Sequence, residues 1–151
     1  MDESLRELYQ EVILDHSRHP RHFGALDAAT HKGQGHNPLC GDRVTVYLHV
    51  DAAGRIEDVS FEGRGCAISQ ASASLMTEMI EGRSVVEAEQ LMGGFLHLVK
   101  GEDANGLAGP DRERLDVMAG VSAFPMRVKC ATLAWHTMKS ALEGGQSAKT
   151  E

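Results

Sequence analysis

The order of hydropathy periods constrains this chain most. Residues 4–16 place Leu5, Leu8, Tyr9, Val12 and Ile13 at helical spacing. The period then drops to two across 44–50, VTVYLHV, and less cleanly across 55–61, RIEDVSF, with Asp51-Ala52-Ala53-Gly54 as the turn between them. All later periodic segments are helical: 67–81, 84 to about 100, a short one after Pro110, and 130–143. Two strands joined by a tight turn and flanked by helices cannot build a parallel βαβ sheet. They predict an α+β domain, in which helices cover a small antiparallel sheet of about three strands. The third strand falls around 31–36, where the local signal is weak.

Local signals sharpen the boundaries. Ser4/Glu7 and Ser84/Glu87 both have capping-box spacing. Gly63-Arg64-Gly65 is expected to end the second strand of the hairpin. Gly93-Gly94 is expected to weaken its helix by about 1 kcal/mol per glycine. Residues 101–109, GEDANGLAG, read as a loop, and Pro125 reads as an interruption before the last helix. A single domain over 1–143 and a disordered polar tail over 144–151 are expected.

Composition removes several function classes. Fifteen Lys+Arg stand against 22 Asp+Glu, and only 5% of residues are aromatic. Such a chain lacks the cationic surface and stacking platforms of a general nucleic-acid binder. No apolar run reaches the roughly 18 residues of a membrane span. The acidic opening MDESLRELYQE has no apolar signal region, so a cytoplasmic protein is expected.

The three cysteines carry the chemistry. Cys40 lies in Asn37-Pro38-Leu39-Cys40-Gly41-Asp42, a turn entering a strand. Cys66 follows Gly63-Arg64-Gly65 at a strand–helix junction, and Cys130 follows Arg127-Val128-Lys129 immediately before the last predicted helix. Helix N-termini and adjacent cations favour thiolate at Cys66 and Cys130. Three thiolates and the Asp42 carboxylate make four donors, as a tetrahedral zinc site requires. Arg127 is read either as a surface charge or as a group that tunes the thiolates. Three separate buried cysteines remain the alternative, because free cysteine is among the most buried residues. No C-x-x-C supports a thioredoxin-like protein. No H-x-E or H-E-x-x-H supports a zinc hydrolase or deaminase. A purely structural zinc remains open.

Other candidates have plainer readings. His16, His19 and His22 are expected to be solvated or locally hydrogen-bonded loop residues, and His136 a core or surface residue. Met76, Met79, Met92, Met118, Met126 and Met138 are expected to fill the core, with Trp135 as an anchor.

At these motifs the chain resembles a known family. Pro38-Leu39-Cys40-Gly41-Asp42, Gly65-Cys66-Ala67-Ile68-Ser69 with Ala71-Ser72-Ala73-Ser74, and Lys129-Cys130-Ala131-Thr132-Leu133-Ala134-Trp135 are similar to the three cysteine motifs of the IscU/NifU N-terminal superfamily. That superfamily comprises iron–sulfur cluster assembly proteins. The similarity extends over roughly residues 5–143. Lys129 stands where the IscU branch has a histidine, and extra length falls around 101–120; both resemble the SufU type. The resemblance implies Zn2+ held by Cys40, Asp42, Cys66 and Cys130, with Arg127 and Lys129 in support. It implies a SufS-type cysteine desulfurase as partner, persulfide transfer, and delivery of sulfur to downstream iron–sulfur assembly proteins, at most as a sulfurtransferase. Cys40 is the expected persulfide acceptor because its Pro/Gly-flanked loop moves most easily, with Cys130 as alternative. The competing implication is a scaffold on which iron or a transient [2Fe–2S] cluster binds the same cysteines.

Overall fold

The computed structural model describes residues 3–104, 106, 107, 109–144, 148 and 149. Its elements run α1 (Glu3–Arg18), β1 (His31–Asn37), β2 (Asp42–Val50), β3 (Ile56–Arg64), α2 (Ala67–Ile80), α3 (Val85–Val99), α4 (Gly109–Leu115), a 3₁₀ helix (Asp116–Ala123), α5 (Pro125–Leu142) and the two-residue β4 (Ala148–Lys149). β1, β2 and β3 form an antiparallel meander, as the α+β expectation requires. The sheet order is β3-β2-β1-β4, and β4 pairs in parallel with Gly35 and His36. Ala148–Lys149 are thus paired within the segment expected to be a disordered tail, while 145–147, 150 and 151 lie outside the described residues.

The alternation of β2 becomes a two-faced strand: Val44, Val46 and Leu48 are buried, and Arg43 is exposed. α5 lies across β1 and β2, α2 packs beside α5, and α1 packs on α2. Trp135 anchors the centre. It is fully buried, stacks on Phe95 at a centroid distance of 4.8 Å, and donates its indole N–H to Ser72 Oγ at 3.2 Å. The expected core methionines are buried except Met126, which is 43% exposed because it lies on the outward face of the first turn of α5.

Several boundaries differ from expectation, each for a physical reason. β1 has little apolar signal because Gly33 and Gly35 occupy its inward positions. A Cβ at Gly33 would lie 2.6 Å from the Thr137 carbonyl oxygen, and one at Gly35 would collide with the Thr137 hydroxyl. The glycines therefore let α5 lie directly on the strand. β3 continues through Gly63 to Arg64, because Gly63 fits against the Arg43 backbone where a Cβ would clash. α3 runs unbroken through Gly93-Gly94; at Gly94 the missing side chain makes room for Leu107 from the following loop. That loop and the 3₁₀ helix supply Ala104, Leu107, Val117, Met118 and Val121 to the core. The Ser84/Glu87 capping box is formed reciprocally, whereas α1 starts at Glu3, ahead of Ser4. Pro125 opens α5 rather than interrupting it, since a proline at the first turn loses no helical hydrogen bond.

His16 is buried, not a solvated loop residue. It sits on α1, with Nδ1 2.7 Å from Ser74 Oγ on α2 and Nε2 3.8 Å from Glu78. The small residues of α2 allow that approach, and burial lowers the His16 pKa. His22, at φ 56°, is half-buried and not locally bonded: its Nδ1 lies 3.1 Å from the Val59 carbonyl on β3 and 3.3 Å from Glu81, both distant in sequence.

Gly35→Val tests the strand–helix contact. Overpacking at this depth is expected to cost about 1–3 kcal/mol. Urea unfolding should show a lower midpoint at unchanged m-value.

Candidate metal and thiol centre

Three segments converge at one end of the sheet. The first is the β1–β2 turn. Asn37 at its start is fully buried; its side-chain oxygen accepts the Leu39 N–H at 3.1 Å, and its carbonyl accepts the N–H groups of Cys40 and Gly41 at 3.3 and 2.8 Å. Gly41 takes φ 76°, which a residue with a Cβ adopts at a cost. Cys40 is held exposed at the tip and Asp42 turns inward, 1% exposed.

The second segment is the β3–α2 junction. Cys66 is the N-cap of α2, its sulfur accepting the Ser69 N–H at 3.4 Å. Its own N–H donates to Asp42 Oδ1 at 3.0 Å. A Cβ at Gly65 would overlap the Asp42 carboxylate, so this glycine is what lets the carboxylate reach the helix start. The third segment is α5. Because that helix opens at Pro125, Cys130 lies in its second turn, not at its N-terminus, and is buried.

The side chains then meet. Cys40 Sγ is 3.1 Å from Asp42 Oδ2 and 3.5 Å from Cys130 Sγ. The ligating atoms of Cys40, Asp42 and Cys130 all lie within 4.8 Å of one another. Cys66 Sγ stands at the edge of this group, 3.9 Å from Asp42 Oδ2. Arg127 is exposed and its guanidinium lies over the Phe124 ring at 4.6 Å, while Lys129 is half-buried on α5.

The electrostatics reverse one expectation. Burial, followed by the hydrogen bond to Asp42, pushes the Cys40 thiol above the ordinary thiol range. Burial pushes Cys130 up further, assisted by Asp42 and the other two cysteines. The helix dipole expected to favour a Cys130 thiolate is absent at its second-turn position, where desolvation and neighbouring negative charge dominate. Asp42 is a buried carboxylate whose partners are one backbone N–H and two thiols. Among the described residues, it is in no ion pair with Lys, Arg or His. A buried anion without a cation is costly. A divalent cation would supply the missing charge and displace the thiol protons, so these residues fit a soft-donor metal site.

Nothing in the sequence marks Asn37 as a site residue on chemical grounds. Its signal was the Asn-Pro step opening a turn, a common Asx-turn start.

The profile of the family described as "NifU-like N terminal domain" matches residues 8–149. A Bacillus subtilis (strain 168) protein named "Zinc-dependent sulfurtransferase SufU" is 37% identical, over 94% of this chain and 96% of that protein. A Streptococcus pyogenes serotype M1 protein named "Iron-sulfur cluster assembly scaffold protein IscU" is 39% identical, over 96% of this chain and 89% of that protein. The crystal structure of a putative SUF-system scaffold from Fervidobacterium islandicum AW-1 superimposes with a TM-score of 0.77 at 40% identity, covering 91% of this chain and 98% of that one. No helix among the described residues is long and apolar enough to cross a membrane.

The thiol electrostatics are testable on metal-free protein. Alkylation of Cys40 is expected to follow a pH midpoint above the ordinary thiol value of 9.0. Asp42→Asn should lower that midpoint, because removing a neighbouring negative charge favours thiolate. Peptide-resolved iodoacetamide kinetics across pH measure both.

Proposed function

The chain belongs to the NifU-like N-terminal domain family of iron–sulfur cluster assembly proteins, and from that premise we propose that it is a zinc-dependent sulfur acceptor for a cysteine desulfurase. The observation that carries this reading is the buried Asp42 carboxylate facing sulfur donors, with Cys40 at 3.1 Å and Cys40–Cys130 at 3.5 Å. Cys40, Asp42, Cys66 and Cys130 would hold the zinc. Bound there, Zn2+ supplies the positive charge that keeps buried thiols deprotonated and protects them from oxidation.

The chain's own residues divide the remaining tasks. Asp42 is fixed by the Cys66 N–H, and Cys130 by its helix, so both are stationary donors. Cys40 is exposed on a four-residue turn and moves at the least backbone cost. Its thiolate attacks the outer sulfur of the desulfurase persulfide. A new S–S bond forms on Cys40, the donor's S–S bond breaks, and the donor cysteine leaves as thiolate. The persulfide on Cys40 is then open to thiols of downstream iron–sulfur assembly proteins. Three reduced cysteines suit the cytoplasm, where thiols stay reduced. The Bacillus relative's name supports this reading.

A second reading has its own support. Relatives named as IscU scaffolds are as similar as the sulfurtransferase, and the same donors suit iron–sulfur ligation. Metal analysis separates the two. Colourless protein with one zinc per chain is expected; brown protein with iron and sulfide assigns the scaffold role.

Two further outcomes are expected. With desulfurase and L-cysteine, peptide mass spectrometry should find one added sulfur atom on Cys40. A Cys40→Ser variant that acquires it on Cys130 at the wild-type rate would overturn the Cys40 assignment. Asp42→Ala should fold but lose zinc to a chelator faster than wild type, read with a metallochromic dye; equal loss rates would remove Asp42 from the ligand set.

A further inference from the structure

Asn37 ends β1 on the inward face of the sheet. Gly33, Gly35 and Asn37 are the buried alternate positions of that strand. Gly33 meets Thr137 and Ala141 of α5, and Gly35 meets Leu133 and Thr137, four residues nearer the start of the helix. Two residues of strand advance about 6.8 Å and four residues of helix about 6 Å, so strand and helix keep step. A further step of the same length sets Asn37 level with residues 129–133, the turn of α5 that carries Cys130. Within the sheet, Asn37 pairs in register with Asp42, so the two side chains share a face as direct cross-strand neighbours. The hydrogen bonding of this residue is half complete. Asn37 is fully buried, and its Oδ1 accepts the Leu39 N–H at 3.1 Å. That bond fixes which end of the amide is oxygen and leaves Nδ2 as a donor. Nδ2 is buried and has no hydrogen-bond partner among the described residues. An amide donor kept unpaired in the interior costs free energy, and such groups are rare.

We propose that Asn37 is a positioning residue of the metal centre: its side-chain N–H donates to the Cys130 sulfur when that sulfur ligates a metal as thiolate. The inference rests on the metal-holding part of the proposed function. A thiol is a weak acceptor, whereas a thiolate accepts a charge-assisted hydrogen bond. The donor that stands idle beside protonated sulfurs thus gains its partner in the metal-bound chain. The other inward ligands are already supplied: Asp42 accepts the Cys66 N–H, and Cys66 accepts the Ser69 N–H. Among the described residues, the buried Cys130 sulfur accepts no backbone N–H. Hydrogen bonds of this kind orient metal ligands and tune their donor strength. Asn37 then serves two ligands at once. Its oxygen atoms hold the turn that carries Cys40, and its nitrogen holds Cys130.

The test is NMR of the nitrogen-labelled full chain, metal-free and loaded with cadmium, a zinc surrogate whose spin-active isotope couples through a hydrogen bond to a ligating sulfur. One Asn37 side-chain amide proton is expected to move downfield on loading and to show a coupling to cadmium. Cadmium uptake that leaves the Asn37 amide signal unmoved overturns the proposal. A signal equally shifted and protected before loading overturns it too, and assigns the donor to a buried water. Zinc affinity, measured by chelator competition, is the second readout. Asn37→Ser keeps an oxygen to cap the turn and removes the amide donor. This variant is expected to bind zinc about tenfold more weakly, so that zinc raises its melting temperature less than it raises that of wild type. Ser140→Ala, at a buried hydroxyl on α5 that also has no partner among the described residues, should bind zinc as tightly as wild type. A melting temperature lowered equally in metal-free and zinc-loaded Asn37→Ser marks a purely structural role and sinks the assignment. If Asn37→Ser does not fold, the cadmium spectra of wild type decide alone. A wild-type chain that takes up neither metal defeats the zinc reading and this inference with it; uptake without the Asn37 effects defeats the inference alone.

Discussion

One hydrogen bond ties the start of β2 to the start of α2 at the business end of this protein: the Asp42 carboxylate accepts the backbone N–H of Cys66 at 3.0 Å. Asp42 begins β2, and Cys66 caps α2. The bond satisfies one of the orphan donors of a helix start and pins a carboxylate in a buried place it would otherwise leave. It exists only because Gly65 has no side chain. The positions of all four donors follow from that contact and from the direct seating of α5 on β1.

The cluster is polarised toward a cation. Asp42 and Cys130 are buried beside the more exposed Cys40, and desolvation together with the hydrogen bond to Asp42 raises the cost of negative charge on both the Cys40 and the Cys130 sulfur. Left alone, the Cys40 and Cys130 thiols hold their protons above the ordinary thiol range. The cluster's affinity for a divalent ion is therefore linked to pH, since each sulfur that ligates must first release a proton. Exposure divides the donors further: Cys40 faces solvent, Cys130 does not. A nucleophile needs access, and a structural ligand does not.

Much of this was readable in the chain. The β2 alternation and the capping box at Ser84 declared themselves because local chemistry and tertiary fold agree there. The cysteine motifs, each beside a glycine or proline, pointed to turns converging on one place. The misread positions share a cause. Gly33, Gly35, Gly63 and Gly94 are glycines whose role is to admit a neighbour distant in sequence, and glycine carries no periodic signal of its own. His16 looked like part of a histidine-rich loop, although its partner, Ser74, lies 58 positions away. Pro125 has the local signature of a breaker, yet its missing N–H makes it equally a starter. Moving that start by five residues also moved Cys130 out of reach of the helix dipole.

Gly33 and Gly35 have a reach beyond their own strand. Their contacts with Thr137 and Ala141 fix how far α5 stands from the sheet, and Cys130 lies on that same rigid rod about two turns away. Cys40 hangs from the far end of β1 itself. The 3.5 Å gap between the two sulfurs is thus gauged by two missing methyl groups. Lengthening either residue would act as a shim, tilting the helix and parting the two sulfurs without touching either cysteine. The thiol cluster would then be disturbed by a substitution roughly a nanometre along the helix from Cys130, in a strand with no chemistry of its own.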